Sequence, residues 1–138
     1  MSDGTIEVEW VDSEESLDYS EVLYLYLERS SNSILYLGKA DRYTVRERLR
    51  GSHKDAVFDH IANNLGIRRI EVMVGQLFMP RGARFSRQLL GDIETLLIHR
   101  LRPPCNIQST RSRPITRPGL RVTCTGCWPV ARVRFVDH

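Results

Sequence analysis

The runs Val22-Leu23-Tyr24-Leu25-Tyr26-Leu27 and Ile34-Leu35-Tyr36-Leu37-Gly38-Lys39-Ala40 are the most informative part of the chain. Both are apolar and contain tyrosines, and a polar run separates them, so we predict a β-hairpin with strands at 21–27 and 34–38. Side chains alternate along a strand, which predicts Tyr24 and Tyr26 on one face and the leucines on the other. Gly38 and Lys39 end the second strand and an arginine-rich segment follows, so the hairpin is predicted to border an anion site.

The segments after the hairpin alternate between helical and strand patterns. A helix is predicted over 43–50, where Thr44 and Glu47 have the spacing of a capping box. Apolar spacing then predicts a second helix, a strand and a long helix that ends before Pro103, at 55–65, 69–75 and 86–101. This order of elements predicts an α+β fold.

The flanking segments differ in composition from this core. Residues 1–20 form an acidic N-terminal extension with a short strand at 5–11, then a polar loop or a short helix capped by Asp12 or Ser13. Residues 108–138 form a basic, Pro-containing arm and two further strands, predicted to pack on the same domain. The predicted division is therefore 1–20, 21–107 and 108–138.

The composition is that of a single globular domain. The chain has 138 residues, of which 41% are hydrophobic and 27% are charged. It contains no apolar run long enough for a membrane span and no signal-peptide pattern. These features predict a cytoplasmic protein without membrane association.

The charge is distributed unevenly along the chain. Residues 1–28 contain nine acidic residues and neither Lys nor Arg, whereas the remainder contains 18 Arg, two Lys and eight acidic residues. Arginine is suited to phosphate recognition, and a basic body fits a nucleic-acid partner. A solvated surface without a specific partner is the alternative interpretation of the same charges.

The three cysteines are predicted to be reduced thiols. Cys124 and Cys127 form a CxxC pair, which supplies only two of the four ligands of a structural zinc site. Cys105 and His138 would have to fold together with that pair to complete one. We therefore favour thiols without a metal.

Several of these segments together resemble the GIY-YIG nuclease family. Val22-Leu23-Tyr24 and Tyr36-Leu37-Gly38 stand where that family has its two tripeptides, and Arg48-Leu49-Arg50 looks like its Arg-apolar-basic run. The stretch Glu94–Asn106 is similar to the N-terminal incision domain of the bacterial excision-repair nuclease. The resemblance covers residues 21–106. It implies a β-β-α-α-β-α core with a three-stranded antiparallel sheet.

The resemblance also implies a function and a set of site residues. The function is DNA phosphodiester hydrolysis in repair or recombination, by an endonuclease that cuts one strand per active site. The cofactor is Mg²⁺ or Mn²⁺, held by Glu94, and a homodimer or a protein partner sets the target. The implied catalytic residues are Tyr24, Tyr36, Arg48, His53, Glu94 and Asn106. The implied substrate-binding residues are Gly38, Lys39, Arg46 and Arg50.

Each residue type suits a part of the reaction. Arg48 can neutralise phosphate charge, and an acidified Tyr24 can act as general base. Tyr36 and His53 can position the attacking water. Gly38 permits close approach of a phosphate, next to the point charge of Lys39. Asn106 can tie the helix end to the hairpin by hydrogen bonds.

Alternatives remain at several of these positions. Tyr26 shares a face with Tyr24 and competes for its role, and Arg46 competes with Arg48. Taken alone, Glu94 fits an ordinary ion pair with Arg87 or Arg100. The competing function is a catalytically inactive module with a nuclease-like fold that binds nucleic acid or a protein.

Overall fold

The protein is an α+β domain built on a six-stranded mixed sheet with a few helices. The computed structural model describes residues 4–50, 60–66, 69–106 and 119–137. In chain order the elements are β1 (Ile6–Val11), a 3₁₀ helix (Glu14–Asp18), β2 (Val22–Glu28), β3 (Ser33–Ala40), α1 (Val45–Leu49), a π-helical turn (His60–Asn64), β4 (Glu71–Phe78), α2 (Arg87–Leu101), β5 (Arg121–Gly126) and β6 (Arg134–Val136). Residues 55–59 of the predicted helix 55–65 and residues 108–118 of the basic arm lie outside the described residues.

The sheet is twice as wide as the predicted three-stranded one. Its strand order is β3-β2-β4-β1-β5-β6, with β2 antiparallel to both β3 and β4 and with β1 parallel to β5. The acidic segment 1–20 supplies β1, which lies between β4 and β5, with Val8 and Trp10 fully buried. β1 covers the edge that β4 would otherwise leave open, so the sheet continues beyond the hairpin.

The predicted hairpin is present, with β2 shifted by one residue from 21–27 and β3 longer than the predicted 34–38. Tyr26 pairs with Tyr36, and Tyr24 pairs with Gly38. The register shifts between Tyr26 and Leu27, so Leu35 is an extra residue on β3 at that point. Paired residues share a face, which places Tyr24, Tyr26 and Tyr36 together.

The two faces of β2 pack against different elements, as the alternation predicted. The leucines at 23, 25 and 27 belong to the main core with apolar residues of α2. We call this side the leucine face. Tyr24 and Tyr26 belong to a second cluster with Val45 of α1 and Ile61 of the π-helical turn. We call that side the tyrosine face.

Local signals fix the helix ends. Thr44 Oγ1 accepts from the Glu47 backbone N–H at 3.1 Å and the Glu47 side chain accepts from the Thr44 N–H at 2.9 Å, which confirms the capping box. Helix α2 begins after Ser86, whose hydroxyl accepts from the Leu89 N–H. It ends at Arg102, which is in the left-handed conformation.

Strand β4 runs to Phe78, whereas the sequence pattern predicted a loop from Gln76. Tertiary pairing extends the strand, because Gln76 and Phe78 pair with Glu9 and Glu7 of β1. Within the described ranges, no helix combines the length and apolar character needed to cross a membrane.

The C-terminal strands complete the far end of the sheet. The Trp10 and Trp128 rings lie 5.3 Å apart, and Trp128 meets Phe135 edge-on. Cys124 is buried in this region, and burial raises the pKa of its thiol to about 12. Cys127 is exposed, so the two cysteines of the CxxC pair lie in different environments.

Candidate active site

Three tyrosines form a cluster at the β3 edge of the sheet. The ring centroids of Tyr26 and Tyr36 lie 5.2 Å apart, and those of Tyr24 and Tyr36 lie 6.2 Å apart. Tyr24 and Tyr26 are fully buried, whereas Tyr36 is half-buried because β3 is the edge strand. The cluster therefore opens to solvent on the Tyr36 side.

Arg48 of α1 lies against this cluster, and Arg46 does not. The Arg48 guanidinium is close enough to the tyrosines to oppose the burial that raises the pKa of Tyr24 and of Tyr26. Arg46 instead binds Asp18 at 3.0 Å and Glu14 at 3.1 Å, in the acidic 3₁₀ helix. The prediction that Arg46 binds substrate is therefore at odds with its position, because its charge is engaged by carboxylates.

Glu94 of α2 reaches the same edge of the sheet. Burial raises the pKa of the Tyr36 phenol, and the Glu94 carboxylate raises that pKa further. Arg87 and Arg100, the alternatives for an ordinary ion pair with Glu94, bind other groups. Arg87 pairs with Asp41 at 3.2 Å, and Arg100 donates to the Val136 carbonyl at 3.0 Å.

Acidification of the Tyr24 phenol is expected beside an arginine and a metal, and in the chain without a metal the pKa of Tyr24 is raised instead. Burial raises its pKa, the neighbouring Tyr36 and Tyr26 raise it further, and Arg48 lowers it only in part. Removing a phenolate from water costs more free energy than one nearby guanidinium returns. Tyr24 is therefore a protonated phenol at neutral pH.

Gly38 has a packing role in the tyrosine cluster, which the sequence patterns did not predict. A Cβ added at Gly38 would lie 2.9 Å from both Cζ and the hydroxyl oxygen of Tyr24, and 3.1 Å from Cε2 of Tyr36. The space on the Cβ side of this glycine is therefore filled by tyrosine rings. Gly38 is needed so that the Tyr24 ring can pack closely against β3.

The other predicted substrate-binding residues occupy separate positions. Lys39 pairs with Leu23 and so starts from the leucine face, and a Cβ at Gly91 of α2 would lie 3.2 Å from its Nζ. Arg50 is exposed at the C-terminal end of α1. His53 lies outside the described residues.

Asn106 ties the end of the α2 segment to the hairpin, as predicted. Its Oδ1 accepts from the Leu37 N–H and its Nδ2 donates to the Leu37 carbonyl, both at 2.8 Å. The Cys105 N–H donates to the Leu35 carbonyl at 2.9 Å. Residues 105–106 thus bond to the free edge of β3 as a short extra strand would, and Asn106 holds the site together without facing it.

The donor set suits a loosely held hard cation. Within the described ranges, no three His, Cys, Asp or Glu side chains are grouped as a metal site. Mg²⁺, however, usually keeps several waters and takes only one or two carboxylates together with substrate phosphates. Glu94, partly exposed beside Tyr36, meets that requirement as a single carboxylate.

The sequence patterns did not predict a pocket that lies next to the tyrosine cluster. A shallow pocket of about 220 Å³ adjoins the cluster and is lined by Lys39, Asp41, Arg42, Tyr43 and Arg48. The sequence feature that could have indicated this pocket is Tyr43, an aromatic residue directly before a helix cap.

Comparisons of the chain with protein-family models, curated proteins and solved structures returned no match.

Proposed function

We propose that the protein is a divalent-metal-dependent endonuclease of the GIY-YIG type, which hydrolyses DNA phosphodiester bonds and cuts one strand per active site. The supporting observation is that residues from four different elements lie close together. Tyr24, Tyr36, Arg48 and Glu94 come from β2, β3, α1 and α2 and meet at one edge of the sheet. Each residue has an ordinary structural explanation by itself, but a phenol pair, a guanidinium and a carboxylate together match the needs of phosphodiester hydrolysis.

The proposal includes a finer description of the fold. Strands β2, β3 and β4, with α1, the π-helical turn and α2, would form the β-β-α-α-β-α core of that family. Strands β1, β5 and β6 would be additions that extend the same sheet. The antiparallel pairing of β2 with both β3 and β4 supports this description.

The chemistry follows from the charges at the site. A Mg²⁺ or Mn²⁺ ion at Glu94 would supply Lewis-acid stabilisation of the phosphate and an acidified water. Arg48 stabilises negative charge on the phosphate as it becomes five-coordinate. Tyr24 is fully buried and retains its proton, so it supports the half-buried Tyr36, which is affected by both Tyr24 and Glu94 and would orient the reacting group.

The proposal also specifies the setting of the reaction. The partner is DNA and the location is the cytoplasm, without membrane association. A single site of this size cuts one strand, so a double-strand break requires a homodimer or two binding events. The basic composition after residue 28 supports a polyanionic substrate.

Nicking of supercoiled plasmid and of branched DNA, with Mg²⁺, with Mn²⁺ and with EDTA, tests the proposal. Glu94→Gln and Arg48→Ala should each lower the nicking rate by about 10²- to 10³-fold, the range typical for loss of one charge-stabilising group. Glu9→Gln removes the same charge from β1, in the other half of the sheet, and should leave the rate unchanged.

Two outcomes would count against catalysis. If wild type and Glu94→Gln are equally active, or equally inert on every substrate, Glu94 has no catalytic role. If wild type binds DNA with an affinity that falls by roughly 0.9 log unit per phosphate contact per decade of salt but never cleaves it, the chain is an inactive binding module.

A further inference from the structure

The pocket beside the tyrosine cluster shares one residue, Arg48, with the proposed active site. Arg48 lines the pocket and also acts on the tyrosines. The other lining residues, 39 and 41–43, come from the end of β3 and the turn that leads into α1. A ligand in this pocket therefore lies next to the phosphate that Arg48 would bind.

The charge of the pocket is positive. Lys39, Arg42 and Arg48 contribute three cations, and the single carboxylate, Asp41, is already paired with Arg87. Among the described residues, neither Lys39 nor Arg42 takes part in an ion pair. These two side chains are thus placed to bind phosphate groups on either side of a nucleoside.

Tyr43 supplies an exposed aromatic ring at the same place. It is 56% exposed, the highest value among the large hydrophobic side chains of the described ranges, whereas Tyr24 and Tyr26 are fully buried. Its backbone is held in place because Thr44 is fixed by the capping box and the Val45 N–H donates to the Tyr19 carbonyl at 3.0 Å. An exposed aromatic ring on an anchored backbone segment, beside cations, is an arrangement that proteins use to stack nucleobases.

We propose that this pocket binds an unpaired nucleotide next to the scissile phosphate. Its base stacks on Tyr43, and its flanking phosphates contact Lys39 and Arg42. This inference rests on the proposed nuclease function and names its substrate class as single-stranded or branched DNA. In the interior of a paired duplex both faces of each base are covered by neighbouring bases, so Tyr43 has no face to stack on there.

Binding in EDTA tests the inference without reference to cleavage. A fluorescently labelled single-stranded oligonucleotide and a blunt duplex of the same length are titrated with wild type, Tyr43→Ala and Tyr43→Trp. Tyr43→Ala should weaken single-strand binding by about 5- to 150-fold, the usual effect of one stacking ring. Duplex binding should change by less than about twofold, and Tyr43→Trp should retain wild-type affinity.

Two further measurements separate stacking from a general loss of binding. Phe78→Ala removes another exposed aromatic side chain, 49% exposed and outside the pocket, and should not affect single-strand affinity. Arg42→Ala should reduce the salt dependence of single-strand binding by about 0.7 log unit per decade. A 2-aminopurine in the oligonucleotide should be quenched by wild type and not by Tyr43→Ala.

The outcomes distinguish this inference from the nuclease proposal. Equal single-strand affinity of wild type and Tyr43→Ala, an equal loss on both DNA forms, or no single-strand binding at all overturns it. If wild type stacks the base through Tyr43 but never cleaves, the nuclease proposal fails and this inference stands. If cleavage depends on Glu94 but neither binding nor substrate preference depends on Tyr43, the reverse holds.

Discussion

The two faces of strand β2 are equally buried but chemically different. On the leucine face, Leu23, Leu25 and Leu27 pack on the apolar side of α2. On the tyrosine face, Tyr24 and Tyr26 are just as inaccessible, but their hydroxyls lie near a guanidinium and further phenols. Burial alone therefore does not distinguish a core from a candidate site.

The difference has an energetic meaning. Burying a hydroxyl or a guanidinium costs free energy that burying a methyl group does not. The leucine face contributes stability without such a cost, whereas the tyrosine face retains polar groups that apolar residues of similar size could replace. A site is therefore best recognised where a buried face is more polar than its packing requires.

Truncating the leucine face should give the largest stability loss. Leu25→Ala removes a fully buried side chain and is expected to lower the free energy of unfolding by about 2–5 kcal/mol, measured by urea denaturation. Tyr26→Phe, which removes only a hydroxyl from the opposite face, should cost less than about 1.5 kcal/mol. An equal loss for both variants would contradict the comparison.

Gly38→Ala should disturb the tyrosine face specifically. The new methyl would lie 2.9 Å from the Tyr24 ring, so overpacking should cost about 1–3 kcal/mol and shift that ring. Gly91→Ala is the matched control, because its methyl would meet only the flexible end of Lys39 and a helical Ala is favoured over Gly. Gly91→Ala should be neutral or stabilising in the same denaturation assay, and the reverse order would refute this role of Gly38.

Asn106→Ala should loosen the edge of the hairpin. It leaves the Leu37 N–H and carbonyl without their side-chain partner in a buried position, which should cost about 1–3 kcal/mol. Hydrogen exchange of the Leu37 amide should accelerate at the same time. Gln88→Ala, an exposed amide on α2, provides the control. Unchanged Leu37 exchange would show that another group takes over the bond.

The tyrosine face should make the fold sensitive to alkali. Burial raises the pKa of Tyr24, Tyr26 and Tyr36, so these phenols stay protonated in the folded chain after they ionise in the unfolded one. These phenols stabilise the folded state fully below pH 10. Above pH 10 this stabilisation falls by about 1.4 kcal/mol per pH unit for each such phenol. Denaturation between pH 9 and 11 should show a shallower decline for Tyr24→Phe than for wild type.

The smallest effect is expected at the exposed ion pairs of Arg46. Arg46→Ala should lower stability only slightly, because water and salt screen exposed ion pairs, and the loss should vanish in high salt. Its nicking rate should stay near that of wild type, in contrast to Arg48→Ala on the same helix. If Arg46→Ala loses activity and Arg48→Ala retains it, the assignment of the two arginines is reversed.

Local patterns predicted the local parts of this structure. The alternation in β2, the turn after Glu28 and the spacing of Thr44 and Glu47 each depend on neighbouring residues, and each has the expected form. The position of β1 between β4 and β5 depends on pairing with residues far along the chain, and no short window contains that information. The same is true of the extension of β4 to Phe78.

The sequence predicted which residues make up the candidate site, but it did not predict how they pack or how burial shifts their pKa values. The resemblance to a nuclease family selected Tyr24, Arg48 and Glu94, and the structure brings them to one edge. The direction of the Tyr24 pKa shift and the purpose of Gly38 depend on how tightly the rings pack, which spacing cannot show. Arg46 and Arg48 are two residues apart, and the ion pairs of Arg46 with the acidic 3₁₀ helix distinguish it from Arg48, which lies against the tyrosines.

The parallel pairing of β1 with β5 has a consequence for how the chain reaches its fold. Ile6 pairs with Val122, so β1 is synthesised long before its parallel neighbour leaves the ribosome. Contacts of this range slow folding, because a long loop must close before the pairing stabilises it. Until then one edge of β1 exposes unpaired N–H and C=O groups beside the apolar side chains of Val8 and Trp10, which makes the nascent protein prone to aggregate. A chain shortened before β5 would keep that edge permanently, with every residue of the candidate site still present.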